Sequence, residues 1–376
     1  SVIPVGLAEA LKVRVISKGP PMTYFVLGAL QKKLFNVLVK HPVFRVIGNP
    51  VSEAFILERM GATVNDDWFL SGDYEAATDN LRSNVSKRIA LRVAKHLDLA
   101  EVEVKLFVNA LVGHLIVDLA SPPDSETGEP KFIQQKRGQL MGSNVSFPIL
   151  CIANAAVTRW ALEVSERRTI KLKDCRMMIN GDDIVARSRS NKLYYYWGRI
   201  AQAFGLKESI GKTYFSKDFL QINSRNFYIN KQTSHSIKFP HRDNPNEFVD
   251  RLCPYEMIKF VNMGLIKGMK RSAGPVGLND QADPLNNMAA RAELMLLECP
   301  DHLKIIVYKL FIKNHKHLLD SLTPIPWFIP QWLGGVGLPI LGEYKPSELD
   351  LRMVNLIRVK VHRVRAAEAG EPIELT

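Results

Sequence analysis

The chain has 376 residues, beyond the length at which one hydrophobic core keeps growing, so two or three subdomains are expected. Hydrophobic residues at 46% and charged residues at 23% exclude wholesale disorder, and 50 Lys and Arg against 38 Asp and Glu (net charge +12) point to a polyanionic partner, nucleic acid or an acidic membrane surface. Four scattered cysteines, Cys151, Cys175, Cys253 and Cys299, form no CxxC pair, which argues against a zinc site or disulfide framework and fits a reducing, intracellular setting.

The first 50 residues hold seven basic side chains (Lys12, Arg14, Lys18, Lys32, Lys33, Lys40, Arg45) against one acid, Glu9. "LKVRVISK" alternates apolar and basic residues and predicts a strand with one charged face, ended by Gly19-Pro20-Pro21. Trp68, Phe69 and Leu70 predict a buried strand closed by Gly72. From Thr78 onward, Leu81, Val85, Ile89 and Val93 recur at helical spacing, with Thr78 or Asp79 as N-cap. "HLIVDLA" and "KFIQQK" flank a turn-rich loop and predict a hairpin over 113–136. A second helix follows "RGQLMGSNVSFP". Ile149, Ile152, Ala153, Ala156, Trp160 and Val164 share its face, and Ser146 can cap it. Its apolar stretch, Phe147 to Thr158, runs into Arg159, and no uninterrupted apolar run reaches the ~18 residues of a bilayer span. Two short strands surround Gly181-Asp182-Asp183, a helix covers 191–204, and short strands recur over 213–229. From about 250 the pattern is mostly helical, broken by "TPIPWFIPQWLGGVGLP" and ended by a polar tail after Arg365. His315 and His317, two apart on a helix, do not share a face and read as a solvated pair. A chain starting at Ser, with no leader or transit segment, is expected to be part of a longer product.

The adjacent acids Asp182 and Asp183 pose the chemical question. Gly-Asp-Asp arises by chance in about one chain in twenty of this length, and a solvated type I′ turn would explain it. Its flanks are apolar, however, and unpaired buried carboxylates are costly, so the two charges are expected to face a cleft or a cation. Asp73, at the end of another predicted strand, supplies a third carboxylate, although after Gly72 it also reads as a plain turn residue. Carboxylates from two adjacent strands can hold two Mg²⁺ ions ~3.5–4 Å apart, the arrangement for in-line phosphoryl transfer.

"SGDYEAATDN", "RGQLMGSNVSFPILCIAN" and "MINGDDIV" stand in the order and spacing of motifs A, B and C of viral RNA-dependent RNA polymerases. With "GKTYFSKDFLQINSRNF" and "WLGGVGLP", the chain resembles polymerases of the narnavirus and ourmia-like (botourmiavirus) group, mycoviruses among them. The resemblance implies Asp73 and Asp182 as principal metal ligands and Asp183 as auxiliary, for two Mg²⁺ with Mn²⁺ as a substitute. Asp79 matches the residue that senses the ribose 2′-OH, or else caps a helix. Ser146 matches its motif B partner, or is an N-cap. Gly142 and Ser143 match the flexible motif B loop. Lys12, Arg14 and Lys18 match the basic motif F strand over the triphosphate, or a charge-protected edge strand. Lys212 matches the motif D lysine that protonates pyrophosphate, or is a surface lysine. Arg225 falls in motif E, which grips the primer strand. The motif B asparagine of more distant polymerases has Leu150 at its position, which leaves Asn154 outside the site.

The implied fold is α+β, a right-handed fingers–palm–thumb polymerase. Fingers segments are 1–66 and 100–137, the palm 67–99 and 138–230 with an antiparallel sheet and flanking helices, and the thumb the mainly helical 231–376. Implied partners are template and nascent RNA, ribonucleoside triphosphates and a viral genome ribonucleoprotein in the host cytoplasm, with no obligate membrane segment. A reverse transcriptase would use the same metals, but favours Tyr-x-Asp-Asp and a bulky aromatic gate, where this chain has Asn180-Gly181 and Asp79 with Ser146. A non-catalytic genome-coating protein fits the charge and leaves the three acids unexplained.

Overall fold

The computed structural model describes residues 1–9, 12–49, 51–62, 66–232, 234–240, 247–267, 285, 288–342 and 345–369. The chain divides into two compact units, Ser1–Val5 with Val15–Ile258, and Gly6–Arg14 with Lys259–Thr376.

Strands β1 (Ile3–Glu9) and β2 (Lys12–Lys18) form a two-stranded sheet, the second matching the alternating basic strand. Helices α1 (Pro21–Lys40) and α2 (Glu53–Met60) follow. Next come β3 (Trp68–Gly72), β4 (Tyr74–Glu75), the single turn α3 (Ala77–Asn80), α4 (Ser83–His96) and α5 (Glu101–Asn109). The predicted hairpin is β5 (Leu115–Val117) with β6 (Phe132–Gln134). Helix α6 (Ser146–Glu166) precedes β7 (Met177–Asn180), β8 (Asp183–Ser188) and α7 (Leu193–Phe204). Short strands β9 (Lys207–Glu208), β10 (Tyr214–Ser216), β11 (Phe219–Ile222) and β12 (Arg225–Ile229) lead to β13 (His235–Pro240), β14 (Phe248–Cys253) and β15 (Tyr255–Met257).

The first unit is built on a four-stranded antiparallel sheet in the order β10-β3-β8-β7. Side chains alternate across its faces, as period-two strands require. Leu70, Met177, Ile179, Ile184 and Ala186 pack on one face with α6 and α7 residues such as Leu150, Cys151 and Trp197. Phe69, Met178 and Val185 pack on the other, with Leu220, Ile222, Phe227 and Tyr255. Burial on both faces explains why β3 and β8 read as continuous apolar runs, each buried large side chain contributing about 1.5–3 kcal/mol. The second unit has its own core, drawn from α8 (Met263–Lys267), α9 (Met288–Glu298) and α10 (Lys304–Asp320). Helix α11 (Glu348–Ala369) follows; the tail beyond it lies outside the described residues.

Three local expectations change. The helix predicted from Thr78 is interrupted: Asp79 sits within α3, and α4 starts after Arg82 with no side-chain cap. Helix α6 is buried almost all round, and the face expected to pack leaves Trp160 and Val164 exposed, because the sheet lies on one side and α4 on another. It is long and apolar enough to cross a membrane, by composition alone, and most of it is buried as a core helix. His315 is buried rather than solvated: it packs 4.3 Å from the Phe311 ring, Nδ1 lies 2.8 Å from the Phe311 carbonyl, and burial pushes its pKa down.

Candidate active site

Asp73 follows β3 directly. The register pairs Gly72 with Ile184 and Asn180 with Asp183, so Asp73 and the Asp182–Asp183 turn emerge at the same end of adjacent antiparallel strands. Gly181 makes that turn at φ +69°, a left-handed conformation where glycine carries no Cβ penalty. The loop 209–213 wraps Asp73 because the strands flanking it pair on either side of that residue: Tyr214 with Ser71, Glu208 with Tyr74. Ser209 N–H donates to the Asp73 carbonyl at 2.9 Å, and the Thr213 hydroxyl bonds the same carbonyl at 3.3 Å. This delivers Lys212 Nζ to 3.3 Å from Asp73 Oδ2, the carboxylate being mostly buried and the ammonium exposed.

The segment 137–146 is stitched to α3. Gln139 N–H donates to the Thr78 carbonyl at 2.8 Å, and Arg137 donates to Asn80 O at 3.1 Å and Gly205 O at 3.2 Å. Asp79 stays exposed to solvent there, yet partial desolvation pushes its pKa up. Ser146 is the first residue of α6, not its cap. Buried Gln139 donates from Nε2 to Ser146 Oγ and to the Ser146 carbonyl, both at 2.8 Å, and accepts from Ser86 at 3.0 Å. Gly142 lies at φ +115°, and a Cβ there would stand 2.4 Å from the Ser17 carbonyl; beside it Ser17 N–H donates to Met141 O at 2.6 Å. Among the described residues, buried Asn144 Oδ1 beside Gly142 meets no hydrogen-bond partner, and buried Ser143 Oγ and Tyr24 Oη meet none besides each other.

Of the basic residues, Lys18 is exposed at the end of β2 in the first unit. Arg14 is half-exposed on β2 and, with Lys12, belongs to the second unit; the Lys12 side chain lies outside the described residues. Arg225 turns inward, where its guanidinium donates to the Val51 carbonyl at 2.6 Å, so its charge is spent on the core. Among the described residues no three His, Cys, Asp or Glu side chains are drawn into one metal-holding group. The donor set at the strand ends is nevertheless all carboxylate oxygen, the chemistry that hard divalent cations require.

The sequence profile of the mitovirus RNA-dependent RNA polymerases matches residues 6–235. The chain belongs to that family. It is 30% identical over 360 residues to the RNA-dependent RNA polymerase of Ourmia melon virus (isolate Melon/Iran/VE9), covering 92% of this chain and 39% of the relative, so it spans well under half the relative's length. The RNA-dependent RNA polymerase of a human picorbirnavirus has the same fold, with TM-score 0.60 and 14% identity over 89% of this chain and 59% of that one. The BmCPV RNA-dependent RNA polymerase at its elongation state aligns with TM-score 0.51 and 10% identity over 84% of this chain and 26% of that one. The viral polymerase fold is thus shared well below the identity at which sequence alone is persuasive.

Within this family member, sequence reasoning missed two buried amides. Asn154 is fully buried and donates to the Gly181 and Asp182 carbonyls; Gln139 holds Ser146. For Asn154 the signal available was a polar amide after the apolar run 149–153, which needs partners when buried; Gln139, in RGQLMG, carries no such signal.

Proposed function

We propose that the chain carries the catalytic centre of an RNA-directed RNA polymerase, copying a positive-strand viral genome from ribonucleoside triphosphates. One observation carries this reading: Asp73 and the Asp182–Asp183 turn emerge at one end of neighbouring strands, with the Lys212 ammonium on Asp73. The 3′-hydroxyl of the nascent strand attacks the α-phosphorus. The new O–P bond forms as the bond to pyrophosphate breaks, and the hydroxyl proton leaves to solvent. We assign to Lys212, paired with Asp73, the hand-over of a proton to the departing pyrophosphate. Asp73, Asp182 and Asp183 would hold two Mg²⁺ (or Mn²⁺), which supply Lewis-acid activation of the hydroxyl and neutralise the leaving group.

Asp79 and Ser146 orient the ribose 2′-OH. Because Gln139 donates to Ser146 Oγ, the serine proton is available for a ribose oxygen. The sparsely bonded polar atoms of Ser143, Asn144 and Tyr24 suit a loop that lies against template and nucleotide. Lys12, Arg14 and Lys18 serve the triphosphate. In right-hand terms, 1–66 and 100–137 are fingers, 67–99 and 138–230 palm, and 231–376 thumb. RNA binding is largely electrostatic, so it weakens steeply with salt and has little sequence preference. A genome ribonucleoprotein in the host cytoplasm is the setting we infer.

The test is primer extension by the intact reading frame containing this chain, on an RNA template with Mg²⁺, comparing rNTPs with dNTPs. Preferential rNTP incorporation that Asp182→Ala abolishes, with RNA binding retained, supports the reading. Incorporation that survives Asp182→Ala rejects the metal assignment, and preferential dNTP use means a reverse transcriptase.

A further inference from the structure

Asn154 stands on α6 against the turn that carries Asp182, and both ends of its amide are engaged. Nδ2 donates to the Gly181 carbonyl at 3.0 Å and to the Asp182 carbonyl at 3.1 Å. Oδ1 accepts from the Tyr74 hydroxyl at 3.1 Å and from Thr158 Oγ1 at 3.3 Å. Nearly one helical turn before it, Cys151 Sγ accepts the Gly181 N–H at 3.2 Å. Asn154, Cys151 and Thr158 are fully buried, and Tyr74, also buried, stacks on Trp197 with ring centroids 5.1 Å apart.

Tyr74 is the residue after Asp73. A single amide therefore holds the backbone around Asp182 with its donor end and the neighbour of Asp73 with its acceptor end. Only an amide offers donors and an acceptor together in that space: leucine offers neither, and aspartate would set a negative charge against two carbonyl oxygens. We propose that Asn154 is a positioning residue that fixes the Asp182 turn relative to Asp73, and so controls divalent-cation affinity and turnover without touching substrate. The proposal rests on the polymerase reading for its effect on turnover, but its effect on cation binding is read separately.

The experiment compares wild type with Asn154→Leu, Tyr74→Phe and a control, Leu162→Ala, which removes a buried side chain two turns further along the same helix. Three quantities are measured on the full chain: Mn²⁺ affinity by calorimetry, thermal midpoint, and single-nucleotide incorporation resolved into kcat and KM. Asn154→Leu is expected to weaken Mn²⁺ binding roughly tenfold or more, as loss of an outer-sphere support does. It should lower kcat by a similar factor while KM for the nucleotide stays within about threefold. Tyr74→Phe moves both in the same direction by less. Leu162→Ala lowers the thermal midpoint but leaves Mn²⁺ affinity and kcat near wild type. Unchanged Mn²⁺ affinity in Asn154→Leu overturns the proposal, as does a matching loss in Leu162→Ala. If wild type binds Mn²⁺ through Asn154-dependent carboxylates yet incorporates nothing on any template, the polymerase reading fails and the positioning role stands.

Discussion

Lys212 and Asp73 meet because of backbone pairing rather than a long-range search by two side chains. The strands on each side of the 209–213 loop pair with residues on each side of Asp73, and Lys212 N–H donates to the Ser209 carbonyl at 3.2 Å. The ion pair at 3.3 Å thus comes with the fold, and the lysine, 68% exposed, is well hydrated. Such a pair contributes about 0–1 kcal/mol to stability. Its value, on the proposed polymerase reading, would be to hold a lysine at the carboxylate cluster rather than to stabilise the fold.

Lys212→Met should therefore separate stability from chemistry. Urea midpoints are expected to move by no more than about 1 kcal/mol equivalent. The rate of single-nucleotide incorporation should fall on the order of a hundredfold, the lower end of what a general acid supplies. RNA binding, measured by filter retention, should hold. An unchanged rate in rapid-quench experiments would return Lys212 to the surface-lysine reading.

Gly142→Ala tests the seat of the motif B loop. At φ +115° any side chain is strained, at a cost of about 1–3 kcal/mol. The added Cβ would also stand 2.4 Å from the Ser17 carbonyl, a backbone atom that cannot swing aside. The Ser17–Met141 hydrogen bond should break, read as faster amide exchange at Ser17, together with a stability loss of at least about 2 kcal/mol in urea. Protection at Ser17 equal to wild type would refute the packing argument.

How much of this was legible beforehand divides along physical lines. The β3, β7 and β8 strands, the acids at their ends and the basic strand β2 were readable, because apolar runs bounded by glycine and period-two alternation are local signals. The break between α3 and α4 was not. Leu81 keeps the helical spacing, but the chain turns there so that 137–139 can bond the carbonyls of Thr78 and Asn80, a contact no local pattern announces. Spacing alone excludes Asn154, because it stands a helical turn further from Ser146 than the asparagine of distant polymerases. Its partners, Gly181, Asp182 and Tyr74, are remote in sequence, and only the packing of α6 on the sheet brings them together.

Asp79→Asn should trade selectivity for a small gain in stability, and the sign of the pH dependence follows from partial desolvation of a carboxylate that solvent still screens. Desolvation raises the folded-state pKa of Asp79 above its unfolded value, so the wild-type fold is penalised once the unfolded chain ionises. The penalty is absent below the unfolded pKa and complete above the folded pKa. Asp79→Asn is expected to have the higher thermal midpoint at pH 7, and the difference should shrink as pH falls toward the ordinary carboxylate range. Discrimination between rNTP and dNTP should weaken in the same variant. A midpoint difference that grows on acidification would contradict the desolvation argument, and intact discrimination would leave Asp79 a structural residue only.

Asp67 and Arg187 form a buried ion pair at the end of β3 and β8 opposite the acids, with Arg187 Nε 2.7 Å from Asp67 Oδ2 and Nη1 donating to the Met60 carbonyl. Both side chains are about 95% or more buried, so each charge depends on the other more than on solvent. Removing Asp67 leaves a buried guanidinium without its carboxylate, and Asp67→Ala should cost about 3–5 kcal/mol, whereas replacing both with apolar residues can be neutral. A cleft of about 630 Å³ borders the pair, lined by Glu166, Arg176 and Ser188 among others. Water entering there, together with the Met60 carbonyl, can serve the guanidinium once Asp67 is gone, which places the expected loss near the lower limit, about 3 kcal/mol. Asp67→Leu with Arg187→Met should recover most of it in urea denaturation. If the double variant is as unstable as Asp67→Ala, the loss comes from the missing Met60 contact and packing, and not from a stranded charge.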